Sequence, residues 1–185
     1  MKSIAEIINA CFPQEGMMRS RYLIHVEYVT KKALAICDRN PHLRADRDLV
    51  EAGAMLHDIG ICCVFAPEIG CHGDAPYVRH GILGAEILRQ AGWDEIAPFC
   101  ENHIGVGLTK TDIINQRLPL PERDMTPQTI EQKIVAFSDK FFSKRQDYLT
   151  TPKPIEKIRT GLLRYGAGKL IIFDQWCALF GEEGV

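Results

Sequence analysis

The chain has 185 residues, of which 46% are hydrophobic and 25% are charged, so it can bury a core, and we expect one domain over residues 1–185. The formal net charge of −2 leaves no basic footprint for binding a nucleic-acid polymer or an anionic membrane. The N-terminus carries no export signal, and the longest apolar stretch, near residues 170–173, is too short to span a bilayer. These features predict a soluble, cytoplasmic protein.

Helical periodicity and helix breakers divide the chain into helices joined by loops, with no alternating pattern typical of strands, which predicts an all-α fold. In chain order, the predicted helices span 2–12, 20–38, Asp46 or Arg47 to His57-Asp58, 78–91, 94–104, 127–146, 154–164 and 167–181. The loop after Asp58 is rich in glycine and proline, and its length makes it a candidate active-site flap. Segment 106–126 is predicted to be irregular because it contains proline breakers.

The seven cysteines form an odd set without CxxC spacing, which favours reduced thiols over a disulfide framework. Cys62, Cys63, Cys71 and His72 could be imagined as a zinc site, but they lack the ligand spacing of structural zinc sites. Free cysteines that pack as small hydrophobic residues are the favoured interpretation.

The most informative segment is Met-Leu-His-Asp-Ile-Gly-Ile, residues 55–61. Small and apolar residues precede His57-Asp58, and Gly60 follows, so we expect a buried helix that presents both side chains at its C-terminal turn. A histidine and an aspartate that are neighbours in sequence can both reach one metal only from a helix end or a distorted turn. A buried imidazole and carboxylate need a cation nearby.

Five predicted helical segments carry a histidine or an aspartate with apolar residues three or four positions away, which directs the polar group into the core. A single residue of this kind is more often a hydrogen-bonded core residue than a functional group. Four imidazoles and two carboxylates together require compensating positive charge, which one or two divalent metal ions would supply. The candidate metal ligands are His25, His57, Asp58, His80, His103 and Asp139.

The order His25, His57-Asp58, Asp139 resembles the ligand pattern of the HD superfamily of metal-dependent phosphohydrolases. His-Asp-Ile-Gly, residues 57–60, is similar to the subgroup named for those letters. The resemblance covers roughly residues 20–145 and implies a compact helical HD-domain fold of about seven to nine helices, with accessory helices at both ends.

His80 and His103 resemble the extra histidines of the dinuclear branch of this superfamily. That branch includes symmetric diadenosine tetraphosphate hydrolases, cyclic-dinucleotide phosphodiesterases and a few diiron oxygenases. The chain departs from the cyclic-dinucleotide enzymes, because Ile61 stands where they carry a lysine and because it lacks their Gly-Tyr-Pro signature and the second histidine beside His103. These departures argue against a cyclic dinucleotide as the substrate.

The resemblance implies one or two divalent transition-metal ions, and mixed nitrogen and oxygen ligands suit Fe, Mn, Zn or Ni better than Mg²⁺. One ion would be held by His25, His57, Asp58 and Asp139. A second would be held by His80 and His103, with Asp58 as a bridge. A metal-bound hydroxide would attack phosphorus, and Asp58, the candidate catalytic residue, would help to orient it.

A phosphate substrate also needs positive side chains beyond the metals, and the candidate substrate-binding residues are Lys140, Arg79 and the flap residue His72. The leading hypothesis is a metal-dependent phosphohydrolase that acts on a nucleotide or a small phosphate ester or anhydride. The alternatives are a diiron oxygenase that uses the same ligands and a catalytically silent nucleotide sensor, which the intact ligand set disfavours. The sequence leaves the substrate, the metal and the oligomeric state open.

Overall fold

The computed structural model describes residues 2–13 and 15–182, and these residues form nine α-helices and one pair of short strands. The all-α prediction is confirmed. The helices are α1 (Ile4–Cys11), α2 (Met17–Arg39), α3 (Arg47–Leu56), α4 (His80–Gln90), α5 (Ala97–Asn102), α6 (Lys110–Asn115), α7 (Ile130–Lys140), α8 (Ile155–Leu163) and α9 (Ala167–Phe180). Both ends of the expected 1–185 domain, Met1 and residues 183–185, lie outside the described residues.

Helices α2, α3 and α7 pack against one another at the centre of the molecule. Tyr22 is fully buried there, and its hydroxyl donates to the carbonyl oxygen of Met55 over 2.7 Å. On the other side of the core, the ring of Phe137 in α7 lies 5.3 Å from Phe173 and 5.1 Å from Phe180 of α9. The aromatic contacts therefore join the C-terminal helix to the central helices.

Helix α9 is also tied to the rest of the fold by polar contacts at both of its ends. At its beginning, Lys169 donates to the carbonyl oxygen of Gly107 and to a carboxylate oxygen of Asp112, each over 2.6 Å. At its end, Asn40 donates to the carbonyl oxygen of Phe180 over 3.2 Å. No helix in the described part of the chain is both long enough and apolar enough to cross a bilayer.

The prediction of a helix over 127–146 is wrong at its C-terminal end, because α7 stops at Lys140. Two carbonyl groups at this end, those of Lys140 and Phe142, face the ammonium of Lys153 at 3.3 Å and 3.1 Å. A cation that satisfies carbonyl groups stabilises a helix end, so a residue thirteen positions further along the chain helps to end α7.

The prediction that segment 106–126 is irregular is wrong over α6, which begins with a capping box. The hydroxyl of Thr109 accepts from the backbone N–H of Asp112, and the carboxylate of Asp112 accepts from the backbone N–H of Thr109. Such reciprocal bonds satisfy two N–H groups that have no partner inside the helix. The short helix is therefore stable despite the prolines that follow it.

The candidate flap contains one pair of short strands, which the sequence pattern did not indicate. Strand β1 (Phe65–Ala66) pairs antiparallel with β2 (Cys71–His72), with Phe65 opposite His72 and Ala66 opposite Cys71. The turn between the strands contains Gly70, whose φ of 83° lies in the left-handed region that glycine adopts at little cost. Two residues per strand are too few to give an alternating pattern in the sequence.

Candidate metal centre

His57 and Asp58 lie at the junction where α3 ends and a 3₁₀ turn over Ile59–Cys63 begins. His57 is still helical, with φ −53° and ψ −30°, whereas Asp58 has φ −107° and ψ 10°. Neighbouring side chains on a continuous helix point about 100° apart. The change of backbone conformation at Asp58 directs both side chains to one place, and both are fully buried.

Gly60 brings α4 close to this junction. A Cβ atom on Gly60 would lie 2.1 Å from the carbonyl oxygen of His80 and 2.4 Å from the backbone nitrogen of Gly84. No side chain fits in that space, so only glycine allows the 3₁₀ turn to pack directly on the start of α4. This contact places His80, the first residue of α4, beside Asp58.

The two carboxylate oxygens of Asp58 face two different pairs of histidines. Its Oδ2 lies 3.0 Å from the Nε2 atoms of both His25 and His57. Its Oδ1 lies 3.3 Å from Nε2 of His80 and 3.5 Å from Nε2 of His103. Asp139 joins the first pair, with its Oδ1 at 3.1 Å from Nε2 of His25 and 3.6 Å from Nε2 of His57.

The structure therefore brings together all six candidate ligands, which come from α2, the end of α3, the start of α4, the residue after α5, and α7. They form two groups whose ligand atoms lie within 4.8 Å of one another in each group. The first group is His25, His57, Asp58 and Asp139, and the second is Asp58, His80 and His103.

Backbone carbonyl groups orient three of the four imidazoles. Nδ1 of His57 contacts the carbonyl oxygen of Ala54 at 2.8 Å, Nδ1 of His80 contacts that of Tyr77 at 2.7 Å, and Nδ1 of His103 contacts that of Cys100 at 2.8 Å. A carbonyl oxygen can only accept, so each Nδ1 carries the proton and donates it. The Nε2 atom of the neutral ring then has a free lone pair, as a metal ligand requires.

These lone pairs fit a cation at the centre. The Nε2 atoms of His80 and His103 lie 3.0 Å apart, and both face inward as acceptors when both Nδ1 atoms donate. Among the described residues, the Nε2 atoms of His25 and His57 and Oδ1 of Asp58 are buried without a hydrogen-bond partner, although their mutual distances are short. Converging acceptors without hydrogen-bond geometry fit divalent metal ions, which would satisfy all of them at once.

Burial and the neighbouring charges shift the pKa values of Asp58, His57 and His80. Burial favours the neutral carboxyl form of Asp58, but the charges of Lys144 and His57 outweigh it and hold the pKa of Asp58 well below its usual range. Burial alone would lower the pKa of His57, whereas Asp58 and Asp139 raise it to about 9. Burial, with repulsion from His103 and Lys144, lowers the pKa of His80 to about 3. Ionised carboxylates and a neutral His80 suit metal binding, whereas His57 would have to give up its Nε2 proton to a metal ion, so metal binding should release a proton there.

Lys144 is a member of this centre that the sequence analysis missed. Its ammonium contacts Oδ2 of Asp58, and the residue is only 9% exposed. The charge of Asp58 outweighs burial and raises the pKa of Lys144, so the side chain is charged. Arg21 of α2 donates to the carbonyl oxygen of Lys144 over 2.7 Å and fixes the backbone there. Lys144 could not be recognised as long as the helix was predicted to continue to residue 146. Because α7 ends at Lys140, Lys144 lies instead in the segment that follows the helix.

The three candidate substrate-binding residues lie in different surroundings. Lys140 is half-buried and pairs with Asp139 at 2.9 Å, next to the metal centre. Arg79 is half-buried directly before His80, and it is not part of the cleft lining described below. His72 is exposed on β2. The substrate-binding roles of Lys140, Arg79 and His72 all stay predictions.

A cleft of about 640 Å³ opens beside the centre and has Asp139, Lys140 and Lys144 in its wall. Residues 104–108 and α8 also line it. A cleft of this size accommodates a ligand as large as a nucleotide. All seven cysteines are free, and neither group of potential ligands in the described residues includes a cysteine.

Relatives of this chain are found among archaeal proteins. An uncharacterized protein of Methanocaldococcus jannaschii is 42% identical over 134 residues, which cover 71% of this chain and 70% of the relative. Two proteins named tRNA (cytidine(56)-2'-O)-methyltransferase, from Picrophilus torridus and Thermoplasma volcanium, are 41% and 38% identical over 64% and 67% of this chain. The match spans only 30% and 32% of the length of these two methyltransferases.

Two solved structures share the fold. The HD domain of the L. monocytogenes phosphodiesterase PgpH has a TM-score of 0.55 at 20% identity, covering 95% of this chain and 97% of that domain. The same domain in complex with cyclic-di-AMP has a TM-score of 0.56 at 19% identity, covering 97% and 98%. Residues 22–143 match the family model described as HD domain, which is more than half of the chain. The chain therefore belongs to the HD domain family.

Proposed function

We propose that this protein is a phosphohydrolase that uses two divalent transition-metal ions to act on a nucleotide or a small phosphate ester or anhydride. The observation that supports this proposal best is the position of Asp58. One oxygen of its carboxylate faces His25 and His57, and the other faces His80 and His103. A carboxylate placed between two sets of ligands is suited to bridge two ions.

Two bound ions would polarise a phosphoryl oxygen and acidify a water molecule. The side chains of the protein would hold these ions and bind the substrate. The imidazoles and Asp139 would hold the ions through their Nε2 and carboxylate atoms, and Asp58 would bridge the two ions and help to orient the attacking water. Lys140 and Lys144 face the same cleft and would neutralise the phosphoryl group.

The ions in this proposal are Fe, Mn, Zn or Ni, because the two groups combine imidazole nitrogen with carboxylate oxygen. Lys140 and Lys144 favour hydrolysis of a phosphate over oxygen activation, because their positive charges would stabilise the charge on a phosphoryl group. The substrate proposed is a small molecule rather than a nucleic-acid polymer. The two methyltransferase relatives do not decide this point, because about two thirds of each lies outside the match.

The first test is the metal content of protein purified without air. We expect up to two transition-metal ions per chain in the wild-type protein. The variants His80→Ala and His103→Ala should stay folded and keep one ion, since each removes a ligand from the second group only. His42→Ala is the control, because His42 is exposed and belongs to neither group of potential ligands. A metal-replete preparation that binds no transition metal contradicts the proposal.

The second test is turnover of a panel of phosphomonoesters, phosphodiesters and nucleotides, run with and without O₂. We expect phosphate or nucleotide release that a chelator abolishes, and a loss of several orders of magnitude in the variants that keep one ion. If no phosphate compound reacts and O₂ is consumed instead, the metal centre belongs to an oxygenase and the proposed reaction is wrong.

A further inference from the structure

The cleft beside the metal centre contains an excess of positive charge that the protein does not neutralise. Its wall carries six cationic side chains and a single carboxylate, that of Asp139. Three of the cations have carboxylate partners, because Lys140 pairs with Asp139, Lys144 with Asp58, and Lys169 with Asp112. The other three, Lys153, Lys157 and Arg164, make no ion pair with any described residue, and we call them the distal cations.

The distal cations follow one another along the chain, and the first of them lies beside the metal centre. Lys153 contacts the carbonyl oxygen of Lys140, so the series begins next to the lysines that face the metals. Lys157 lies in α8, where its ammonium donates to the hydroxyl of Tyr148 over 2.8 Å. Arg164 follows the last residue of α8. Two helical turns separate Lys157 from Arg164, which corresponds to about 10 Å along one side of the helix.

Gly161 lies between Lys157 and Arg164 on α8 and also lines the cleft. A Cβ atom there would meet nothing within 4 Å, so the packing of the protein does not require a glycine. Glycine in the interior of a helix is less favourable than alanine. A bound group that occupies the space above Gly161 would account for its presence.

The cleft also has an apolar lining, to which Leu108, Leu118, Ile158 and Leu162 contribute. This lining suits an uncharged part of a ligand, such as a nucleoside. The cleft therefore offers positive charge beside the metal centre, further positive charge along α8, and apolar side chains.

We propose that the substrate is an organic bisphosphate, with one phosphoryl group at the metal centre and a second anionic group bound by Lys153, Lys157 and Arg164. This inference rests on the proposed function, because it specifies the substrate class of the same cleft. The distal cations lie outside residues 22–143, the segment that matches the family, so this chain's own C-terminal segment selects the substrate.

The test compares two probes on Mn²⁺-loaded protein by calorimetry, adenosine 5′-monophosphate and adenosine 3′,5′-bisphosphate. We expect the wild-type protein to bind the bisphosphate about tenfold or more tightly than the monophosphate, because charge-assisted hydrogen bonds form to the second phosphate. In the variant Lys157→Gln/Arg164→Gln this ratio should fall close to one. The variant leaves Lys153 in place, since its contacts with carbonyl groups at the end of α7 support the fold.

The matched control is Lys31→Gln/Lys133→Gln, which removes two positive charges outside the cleft and should keep the wild-type ratio. Gly161→Leu supplies an independent steric test, since it fills the space between the distal cations and should also reduce the preference for the bisphosphate. Equal binding of both probes by the wild-type protein, or a preference that survives in both cleft variants, overturns the inference.

Metal content and turnover of the phosphate panel are measured on the same preparations. Protein that binds two ions and hydrolyses a monophosphate without preferring the bisphosphate overturns this inference and leaves the proposed function in place. Protein without metal or hydrolysis overturns the proposed function itself.

Discussion

Asp58 is the residue on which both groups of potential ligands depend, because it belongs to each of them. It is fully buried, and its carboxylate also faces the ammonium of Lys144. A buried carboxylate of this kind is stable only with compensating positive charge. The metal content of the protein should therefore respond more strongly to a change at Asp58 than to a change at any one histidine.

Asp58→Asn keeps the shape of the side chain and removes its charge. We expect the variant to bind less than one ion per chain and to lose hydrolytic activity, because each potential ion loses an anionic ligand. Elemental analysis and the substrate panel measure this. Asp94→Asn is the control, since Asp94 is exposed. Retention of two ions in Asp58→Asn would show that the carboxylate is not a bridge.

Lys144→Gln should keep its metal ions and lose activity at least about tenfold, through a higher KM or a lower kcat, because the ammonium that would face the phosphoryl group is absent. Lys140→Ala should also lower activity without removing metal. The control for Lys144→Gln is Arg145→Gln, which changes the neighbouring exposed residue. Loss of metal from Lys144→Gln would assign this residue a structural role instead.

The six candidate ligands could be found in the sequence because each lies on an apolar helical face, a pattern that depends only on neighbours three or four residues away. Lys144 could not be found in this way. Its position depends on where α7 ends, and the end of α7 depends on Lys153, which is distant in sequence from the helix interior. A local pattern carries no information about such a contact.

At the scale of the elements, packing at the junction between α3 and α4 leaves no room for a side chain on Gly60. Gly60→Ala should therefore lower the free energy of unfolding by about 1–3 kcal/mol or more, and displace His80 from Asp58. Gly161→Ala is the matched control, and it should raise this free energy by about 0.5–1 kcal/mol because its Cβ meets open space in a helix. Urea denaturation of both variants measures the difference, and an unchanged stability of Gly60→Ala would contradict the packing argument.

Asp112 gives the start of α6 a pH-dependent stability. Burial favours its neutral form, but hydrogen bonds from Lys169 and Thr109 outweigh burial and lower the pKa of Asp112. A carboxyl whose pKa is lowered by folding stabilises the protein above its unfolded pKa, about 3.9, and this contribution disappears as the pH falls through the folded value.

Asp112→Asn should therefore be less stable than the wild-type protein by about 1–2 kcal/mol at pH 7, since it weakens a helix cap and the ion pair with Lys169. The difference should stay constant between pH 7 and about pH 5 and shrink below about pH 4. Urea denaturation at each pH measures it, with Asp94→Asn as the control. A difference that grows on acidification would contradict the argument.

The sequence predicted most helices of the fold but not all of their bounds. Helix α6 was missed because prolines follow it closely and indicate irregular structure. Thr109 and Asp112, which begin the helix, nevertheless have the spacing of a capping box. The strand pair in the flap could not be predicted, since four residues carry no periodicity. The distal cations were also missed, because the packing of α8 against α9, which in turn contacts α7, places them at the cleft.

At the scale of the whole molecule, the candidate metal ligands come from α2, the end of α3, α4, the end of α5 and α7. Metal binding should therefore stabilise the entire fold. Ions that bind the folded state and not the unfolded chain add about 2.7 kcal/mol of stability at a free concentration of 100 times Kd. Treatment with a chelator should therefore lower the Tm, and added Mn²⁺ or Zn²⁺ should restore it. Asp58→Asn is the control, because its Tm should not respond to either treatment.

The C-terminal helices have a consequence for how related proteins of this kind diverge. They are joined to the core through Phe173, Phe180 and the contacts of Lys169, whereas the groups that could bind metal all precede residue 140. If the distal cations bind the substrate as proposed, the residues that recognise it follow the metal ligands along the chain. A change within residues 150–166 should then alter which molecule enters the cleft and leave the metal ligands unchanged, so one metal centre would be inherited while its substrates are exchanged.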